Sequence, residues 1–226
     1  MPLPTFVAPP LVRDRPLRIF VDPGHGGPDA GAVHVGPSGQ VDLVEKDVDL
    51  DISLRLAALL EAAGHQAILA RSQDRGVTPQ GSGRQELYAR VDMANEAGAD
   101  LFISVHNNGH SDRSLRGTEV YYCADRPYSS ENKRLAAAVQ AALVEALRRA
   151  GYETVDRGIH DDTEVYRGHM GVLGPRIARP TRMVAILGES LFVTNDADAA
   201  RLAQPEIRQA IAEGYAEGIR AYLEGE

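Results

Sequence analysis

A chain of 226 residues suits one large α/β domain better than two, and 43% hydrophobic with 25% charged residues allow it a sizeable core. A net charge of -8 with no basic cluster argues against nucleic acid as a partner, and no apolar run approaches the ~20 residues of a membrane-spanning helix. Cys123 is the only cysteine, which excludes an intrachain disulfide, and the lack of tryptophan leaves little for a sugar-stacking platform.

Residues 1–16 read as an extended lead-in, with four prolines besides Pro16 and without the cationic start and apolar core of a secretion signal. Residues 17–226 read as one domain. The β-formers at 17–21 predict a strand that Asp22-Pro23-Gly24 ends, and His25 sits on the glycine-framed turn beyond it. Residues 34–41 hold Gly36, Pro37, Ser38 and Gly39, a hairpin tip on which His34 reads as a strand-edge residue. Residues 44–47 open a helix whose stripe is Ile52, Leu56, Leu59, Leu60 and Ala63, with Gly64 as its stop and His65 at the surface.

A strand over 66–70 follows, then an aperiodic loop over 71–83 and a helix over 84–97 with Leu87, Val91 and Ala94 on one face. A buried strand over 100–105 delivers His106. A strand over 118–123 makes Cys123 a core or strand-end residue. Ser129 or Ser130 can cap a helix over 133–150 that turns Leu135, Val139, Ala142, Leu143, Ala146 and Leu147 inward. Residues 151–180 are the least regular. A last strand over 183–187 leads to Glu189, and Pro205 starts a closing helix with Ile207, Ile211, Tyr215, Ile219 and Tyr222 at near-regular spacing. The alternation predicts a single-domain α/β fold: a mostly parallel twisted sheet, helices on both faces, and a site at the carboxyl ends of the strands.

Four of these element ends carry residues with chemistry: Asp22-Pro23-Gly24-His25-Gly26-Gly27, Val44-Glu45-Lys46-Asp47, Ser104-Val105-His106-Asn107-Asn108 and Gly188-Glu189-Ser190-Leu191-Phe192. Alone, each has a plain reading: a solvated loop histidine, a first-turn acid favoured by the helix dipole, a satisfied strand-end histidine, an exposed loop glutamate. In this order and placement, from about Arg18 to the C-terminus, the chain resembles the zinc-dependent N-acetylmuramoyl-L-alanine amidases, the amidase-3 family of peptidoglycan hydrolases.

The resemblance implies that His25, Glu45 and His106 hold one Zn²⁺ per chain, two imidazoles and a carboxylate that leave a fourth place for water. It makes Glu189 the catalytic proton carrier and the amide between N-acetylmuramic acid and L-alanine the bond cut. Asn108 matches a family position that holds the loop after His106. Asp22 has two open readings, an outer partner for a ligand histidine or a cap for the turn. His110, His160 and His169 lie in loops that could border the site, facing substrate or solvent, with His169 the substrate or outer-partner candidate among them. Leu191 stands where the family has glycine and Val184 where it has proline, so the aim of Glu189 is the point on which the resemblance bears least. The short run from Asn108 to Ser129 has no room for an inhibitory helix, so no obligatory activator is expected.

Peptidoglycan is then the expected partner and the site of action extracytoplasmic, with the export route open because no signal peptide is present in this chain. Two alternatives stand beside this reading: a zinc exopeptidase or other zinc amidohydrolase on a similar scaffold, and a non-catalytic wall-binding relative. Retention of His25, Glu45, His106 and Glu189 together argues against the second.

Overall fold

The computed structural model describes residues 15–165, 169–174 and 180–225, so the expected lead-in lies almost wholly outside the described residues. The first strand, β1 (Arg18–Pro23), is buried from Ile19 onward, as its run of β-formers requires. A short antiparallel pair, β2 (Val33–Val35) and β3 (Val41–Val44), forms the hairpin and runs straight into α1 (Glu45–Ala62). Helix α1 buries Val48, Ile52, Leu56 and Leu60 along the expected stripe, whereas Ala63 is exposed at its C-cap. Gly64 follows with φ 85°, the left-handed conformation that ends a helix without a Cβ penalty.

The chain continues through β4 (Gln66–Leu69), α2 (Arg84–Glu96), β5 (Leu101–Asn108), β6 (Thr118–Tyr122) and α3 (Ser129–Arg149). It then forms β7 (Asp156–Asp161), α4 (Asp162–Val165), β8 (Val184–Phe192), α5 (Asp196–Leu202) and α6 (Pro205–Glu224). The six-stranded sheet has the order β4-β1-β5-β8-β6-β7. β4, β1, β5 and β8 are mutually parallel, while β6 pairs antiparallel with β8 and β7 runs parallel to β6.

Side chains alternate between two cores. Ile19, Val21, Leu101, Ile103, Val105, Val120 and Ile186 face α1, α3 and α6. Phe20, Phe102, Tyr121, Ala185 and Leu187 face α2, through Val91 and Ala94, together with Val172 and Leu173. The sheet is therefore covered on both faces, as the alternation of elements predicts. The second face also carries the polar positions Asp22, Ser104, His106, Glu119 and Glu189, which share its parity along the strands.

Several expectations need correction. β5 runs on through His106 to Asn108 and β8 through Glu189 to Phe192, because the ladder continues with His106 opposite Glu189 and, past a bulge, Asn108 opposite Phe192. α3 starts at Ser129 with Tyr128 as N-cap and no side-chain cap, so neither Ser129 nor Ser130 caps it. The region expected to be irregular contains β7, which pairs with β6 at the sheet edge, and the one-turn α4. α5 was not anticipated; Asn195 caps it by accepting from Ala197 N and Asp198 N. His65 is half-buried, its Nδ1 3.4 Å from the Leu17 N–H that points to it. His34 is 8% exposed, with Nδ1 2.6 Å from Asp42 Oδ1 and Nε2 3.1 Å from Asp196 Oδ1.

Candidate metal centre and cleft

The site forms where β1 and β5 end and α1 begins. The chain leaves β1 through Pro23, and His25 takes φ 55°, a left-handed conformation that a non-glycine residue holds only when its surroundings impose it. A tight turn follows, closed by Gly26 N to Asp29 O at 2.9 Å and Asp29 N to Gly26 O at 3.2 Å. α1 begins with Glu45, whose Oε2 accepts from Ala32 N at 2.6 Å while its own N–H reaches Ala32 O at 2.9 Å. This reciprocal pair fixes the carboxylate before its other oxygen is used.

That other oxygen is the meeting point. His25 Nε2 and His106 Nδ1 each lie 3.1 Å from Glu45 Oε1. The two rings stand edge to face, 4.9 Å between centroids and 81° apart in plane. Asp49, one turn along α1 from Glu45, joins the group, with Oδ2 3.9 Å from His106 Nδ1 and Oδ1 accepting from Asn107 Nδ2 at 2.7 Å. The ligand atoms of His25, Glu45, Asp49 and His106 all lie within 4.8 Å of one another. Two imidazoles and carboxylates so arranged are the donor set of a zinc-type site.

Space at the cluster is kept by glycine. A Cβ at Gly31 would meet Glu45 Oε2 at 2.4 Å and His25 Cδ2 at 2.7 Å, and Gly31 also has φ 66°. A Cβ at Gly24 would meet His106 Cε1 at 2.4 Å and Asp49 Oδ2 at 2.6 Å. The ring of His25 has its second nitrogen 3.0 Å from Asp29 Oδ1, an ion-pair distance without hydrogen-bond alignment.

The charges are sorted by their partners. Burial would raise the Glu45 carboxyl, but the hydrogen bonds from His106 and His25 outweigh it and hold the group down at about 2. Burial likewise opposes charge on His25, yet its contacts with Glu45 and Asp29 leave it raised. Asp49 is pushed well above the usual carboxylate range by burial and then by the charge of Glu45. Glu189 is pushed well above it by burial and then by Glu45 and Glu119.

Glu189 sits between its register partners, His106 on β5 and Glu119 on β6, so the three project from the same face in adjacent strands. It is 8% exposed, and its Oε2 is a buried oxygen with no hydrogen-bond partner. Glu119 is engaged elsewhere, accepting from Asn108 Nδ2 at 2.6 Å, Tyr121 Oη at 2.9 Å and Arg157 Nε at 2.7 Å. Asn108 also caps its own loop, accepting from Gly109 N at 2.8 Å.

Asp22 corrects both of its readings. Its partners are Arg90 Nη1 at 2.6 Å and Ser104 Oγ at 2.9 Å, neither a histidine nor the N–H groups of the turn. Arg90 carries the effect onward: it donates to Pro23 O and His25 O, both at 2.6 Å. Arg71, 1% exposed, does the same from the other side, donating to Gly24 O at 2.6 Å and Lys46 O at 2.8 Å. Two buried guanidinium groups thus hold the β1–His25 turn, and Arg71 also ties it to the start of α1. Sequence reading missed Arg71 and Arg90, whose neighbours carry no motif. It also missed Asp49 and Asp29, although each lies four residues from a singled-out residue, Glu45 and His25.

A cleft of about 450 Å³ opens onto this cluster, lined by His25 and His106 and by the apolar Leu87, Met170 and Val172. His169 lines it too, but its Nδ1 turns to Asp162 Oδ1 at 3.0 Å and Cys123 Sγ at 3.4 Å, away from the His25 group. His160 is half-buried with Nε2 3.4 Å from Glu119 Oε2, and His110 accepts from Asp112 N in an exposed loop. No helix among the described residues is long and apolar enough to cross a membrane.

Known proteins share this arrangement of elements. LytC, an N-acetylmuramoyl-L-alanine amidase of Bacillus subtilis, is 35% identical over 205 residues, which are 90% of this chain and 35% of LytC. The chain therefore spans about a third of that relative. The solved structure of the N-acetylmuramoyl-L-alanine amidase AmiC2 of Nostoc punctiforme is 33% identical, with a TM-score of 0.70 over 92% of this chain and 97% of that one. An N-acetylmuramoyl-L-alanine amidase structure from Clostridium difficile 630 superposes with a TM-score of 0.74 at 27% identity, covering 94% of this chain and 99% of that one. With residues 19–221 matching the amidase-3 description, N-acetylmuramoyl-L-alanine amidase, the chain belongs to that family.

Proposed function

We propose that the protein is a zinc-dependent N-acetylmuramoyl-L-alanine amidase, hydrolysing the amide between N-acetylmuramic acid and L-alanine in peptidoglycan. The observation that carries this reading is the convergence of His25 Nε2 and His106 Nδ1 on Glu45 Oε1, 3.1 Å each, at the mouth of a cleft. Those three residues would hold one zinc. When bound there, zinc supplies Lewis acidity, polarising the scissile carbonyl and acidifying the attacking water.

The remaining work falls to the chain. Despite its burial, the imidazoles of His106 and His25 hold the Glu45 carboxyl well below the usual range, which favours the anion that a ligand must be. Glu189 offers a partnerless buried oxygen on the same sheet face as His106, suited to take a proton from water and return it to the departing amine. Arg71 and Arg90 hold the His25 turn at the carbonyls of Gly24 and His25, so the ligand ring arrives already oriented. Met170 and Val172, which line the same cleft as His25 and His106, would limit water around a substrate bound there.

The connection from β5 to β6 contains no helix, which supports activity without an activator protein. Action on peptidoglycan places the working site outside the cytoplasm. The test is a digest of purified peptidoglycan with identification of the new ends, run with and without a chelator. New alanine amino termini that vanish on zinc removal and return on its addition are expected. New reducing sugar ends, cuts inside the stem peptide, or full activity in metal-free protein would overturn the reading.

A further inference from the structure

We propose that Cys123, Asp162 and His169 form a second metal site, apart from the His25, Glu45 and His106 cluster, that takes a thiolate-preferring divalent cation of the Zn²⁺ type. The three come from separate parts of the chain: Cys123 just after β6, Asp162 at the start of α4, and His169 in the segment ahead of β8. Their ligand atoms all lie within 4.8 Å of one another. His169 Nδ1 is 3.0 Å from Asp162 Oδ1 and 3.4 Å from Cys123 Sγ. With metal–sulfur bonds of about 2.3 Å and metal–nitrogen or metal–oxygen bonds of about 2.0–2.1 Å, a tetrahedral site needs ligand atoms about 3.3–3.6 Å apart. The cluster already stands near that spacing.

The surroundings fit a ligand set. Cys123 is 1% exposed and Asp162 fully buried. Asp162 Oδ2 accepts from Met170 N at 3.0 Å, which fixes the carboxylate and leaves Oδ1 facing the cluster. Asp125 Oδ2 lies 3.4 Å from His169 Nε2, in the place where a ligating histidine finds the carboxylate that orients its ring. A nucleophilic role for the cysteine does not fit. Asp162 Oδ1 occupies the ring nitrogen that faces the sulfur, at 3.0 Å against 3.4 Å, and the sulfur lies on a residue closed off from solvent. Burial also pushes the metal-free thiol up to about 12, so it is inert until a cation displaces its proton to solvent. Binding is that single exchange, a metal–sulfur bond for a sulfur–proton bond, with no change of oxidation state.

The site would act on the cleft. His169 and Met170 form part of its wall, and an ion on His169 ties that wall to β6 and to α4. The total would rise from one ion per chain to two.

Cobalt separates the sites, because only a thiolate gives the near-ultraviolet sulfur-to-cobalt charge-transfer band and Cys123 is the only cysteine. The full chain, stripped of metal and kept in a phosphine reductant, is titrated with Co²⁺ and followed by absorbance and by equilibrium dialysis. Two equivalents and a charge-transfer band are expected. Cys123→Ser should lose the band and one equivalent, and a His25→Ala/His106→Ala chain should keep the band with one equivalent. A parent that binds one equivalent without the band has only a hydrogen-bonded trio there, and the proposal falls on that measurement alone. A band that persists undiminished in both Asp162→Asn and His169→Ala would equally overturn the assignment of ligands.

Discussion

Replacing Arg90 by Met tests how the His25 turn is held. The side chains of Arg90 and Asp22 are 3% and 1% exposed and their pair spans 2.6 Å. Arg90 also donates to the carbonyls of Pro23 and His25 and reaches Glu86 Oε1 at 3.3 Å. Methionine fills much of the volume but removes every one of these donors, leaving the Asp22 carboxylate buried with Ser104 beside it. Breaking a buried pair from one side costs about 3–5 kcal/mol. For a domain of this size each kcal/mol moves the melting temperature by about 2–4 °C, so Arg90→Met should melt roughly 6–20 °C below the parent. Adding Asp22→Asn removes the stranded charge while still accepting the Ser104 hydroxyl, and should recover part of the loss. Calorimetry of the four chains in a double-mutant cycle measures the coupling. Zinc retention during dialysis reads the effect on His25 separately. Melting within about 2 °C of the parent, or a double variant as unstable as the two single losses added, would refute the clamp.

Three further outcomes follow from the same geometry. Glu45→Gln should lose zinc as well as activity, whereas Glu189→Gln should keep zinc content and folding while losing roughly 10²–10⁴-fold in rate; metal analysis beside kinetics decides, and near-parental turnover of Glu189→Gln would remove it from the mechanism. Gly31→Ala places a methyl 2.4 Å from Glu45 Oε2 at a backbone φ of 66°, so zinc affinity should fall with circular dichroism unchanged, and full zinc occupancy would contradict the packing. His34 is raised despite its burial because Asp42 and Asp196 outweigh that burial and the opposing Arg113. Its stabilisation is therefore full below its unfolded value of about 6.5 and fades as pH rises through the higher folded value. The gap in melting temperature between the parent and His34→Gln should narrow from mildly acid to mildly alkaline pH, and a widening gap would reverse the sign.

The parts legible in sequence were those written in apolar runs and punctuation. β1, β5 and β8 are buried on both faces, so each shows as a continuous hydrophobic stretch, and His25, His106 and Glu189 stand at or near the ends of such stretches, while Glu45 opens α1 directly after β3. β7 could not be read this way. Asp156-Arg157-Gly158-Ile159-His160-Asp161 has neither an apolar run nor clean alternation, because it is a half-exposed edge strand held by β6 alone. Tyr128 in place of Ser129 as the N-cap reflects tertiary packing, since Tyr128 is 5% exposed within the core. The carboxylate nearest His25 proved to be Asp29 and not Asp22. Spacing cannot tell them apart: Asp22 lies in the strand with its side chain committed to Arg90, while the left-handed turn at His25 folds Asp29 back under the ring.

Glu45 and Glu189 share a side chain, a buried setting and one electrostatic neighbourhood, and the different roles proposed for them rest on their partners alone. One oxygen of Glu45 meets two imidazoles and the other a backbone N–H, so every lone pair in use favours the anion. Glu189 has a buried oxygen with no donor, and burial together with the charges of Glu45 and Glu119 pushes its carboxyl well above the usual range. A site that pushes two identical groups apart in this way suits one to the proposed task of holding a cation and the other to that of moving a proton. The division does not need the glycine and proline that Leu191 and Val184 replace. The β8 register itself, with Glu189 between His106 and Glu119, sets the strand position from which the side chain projects.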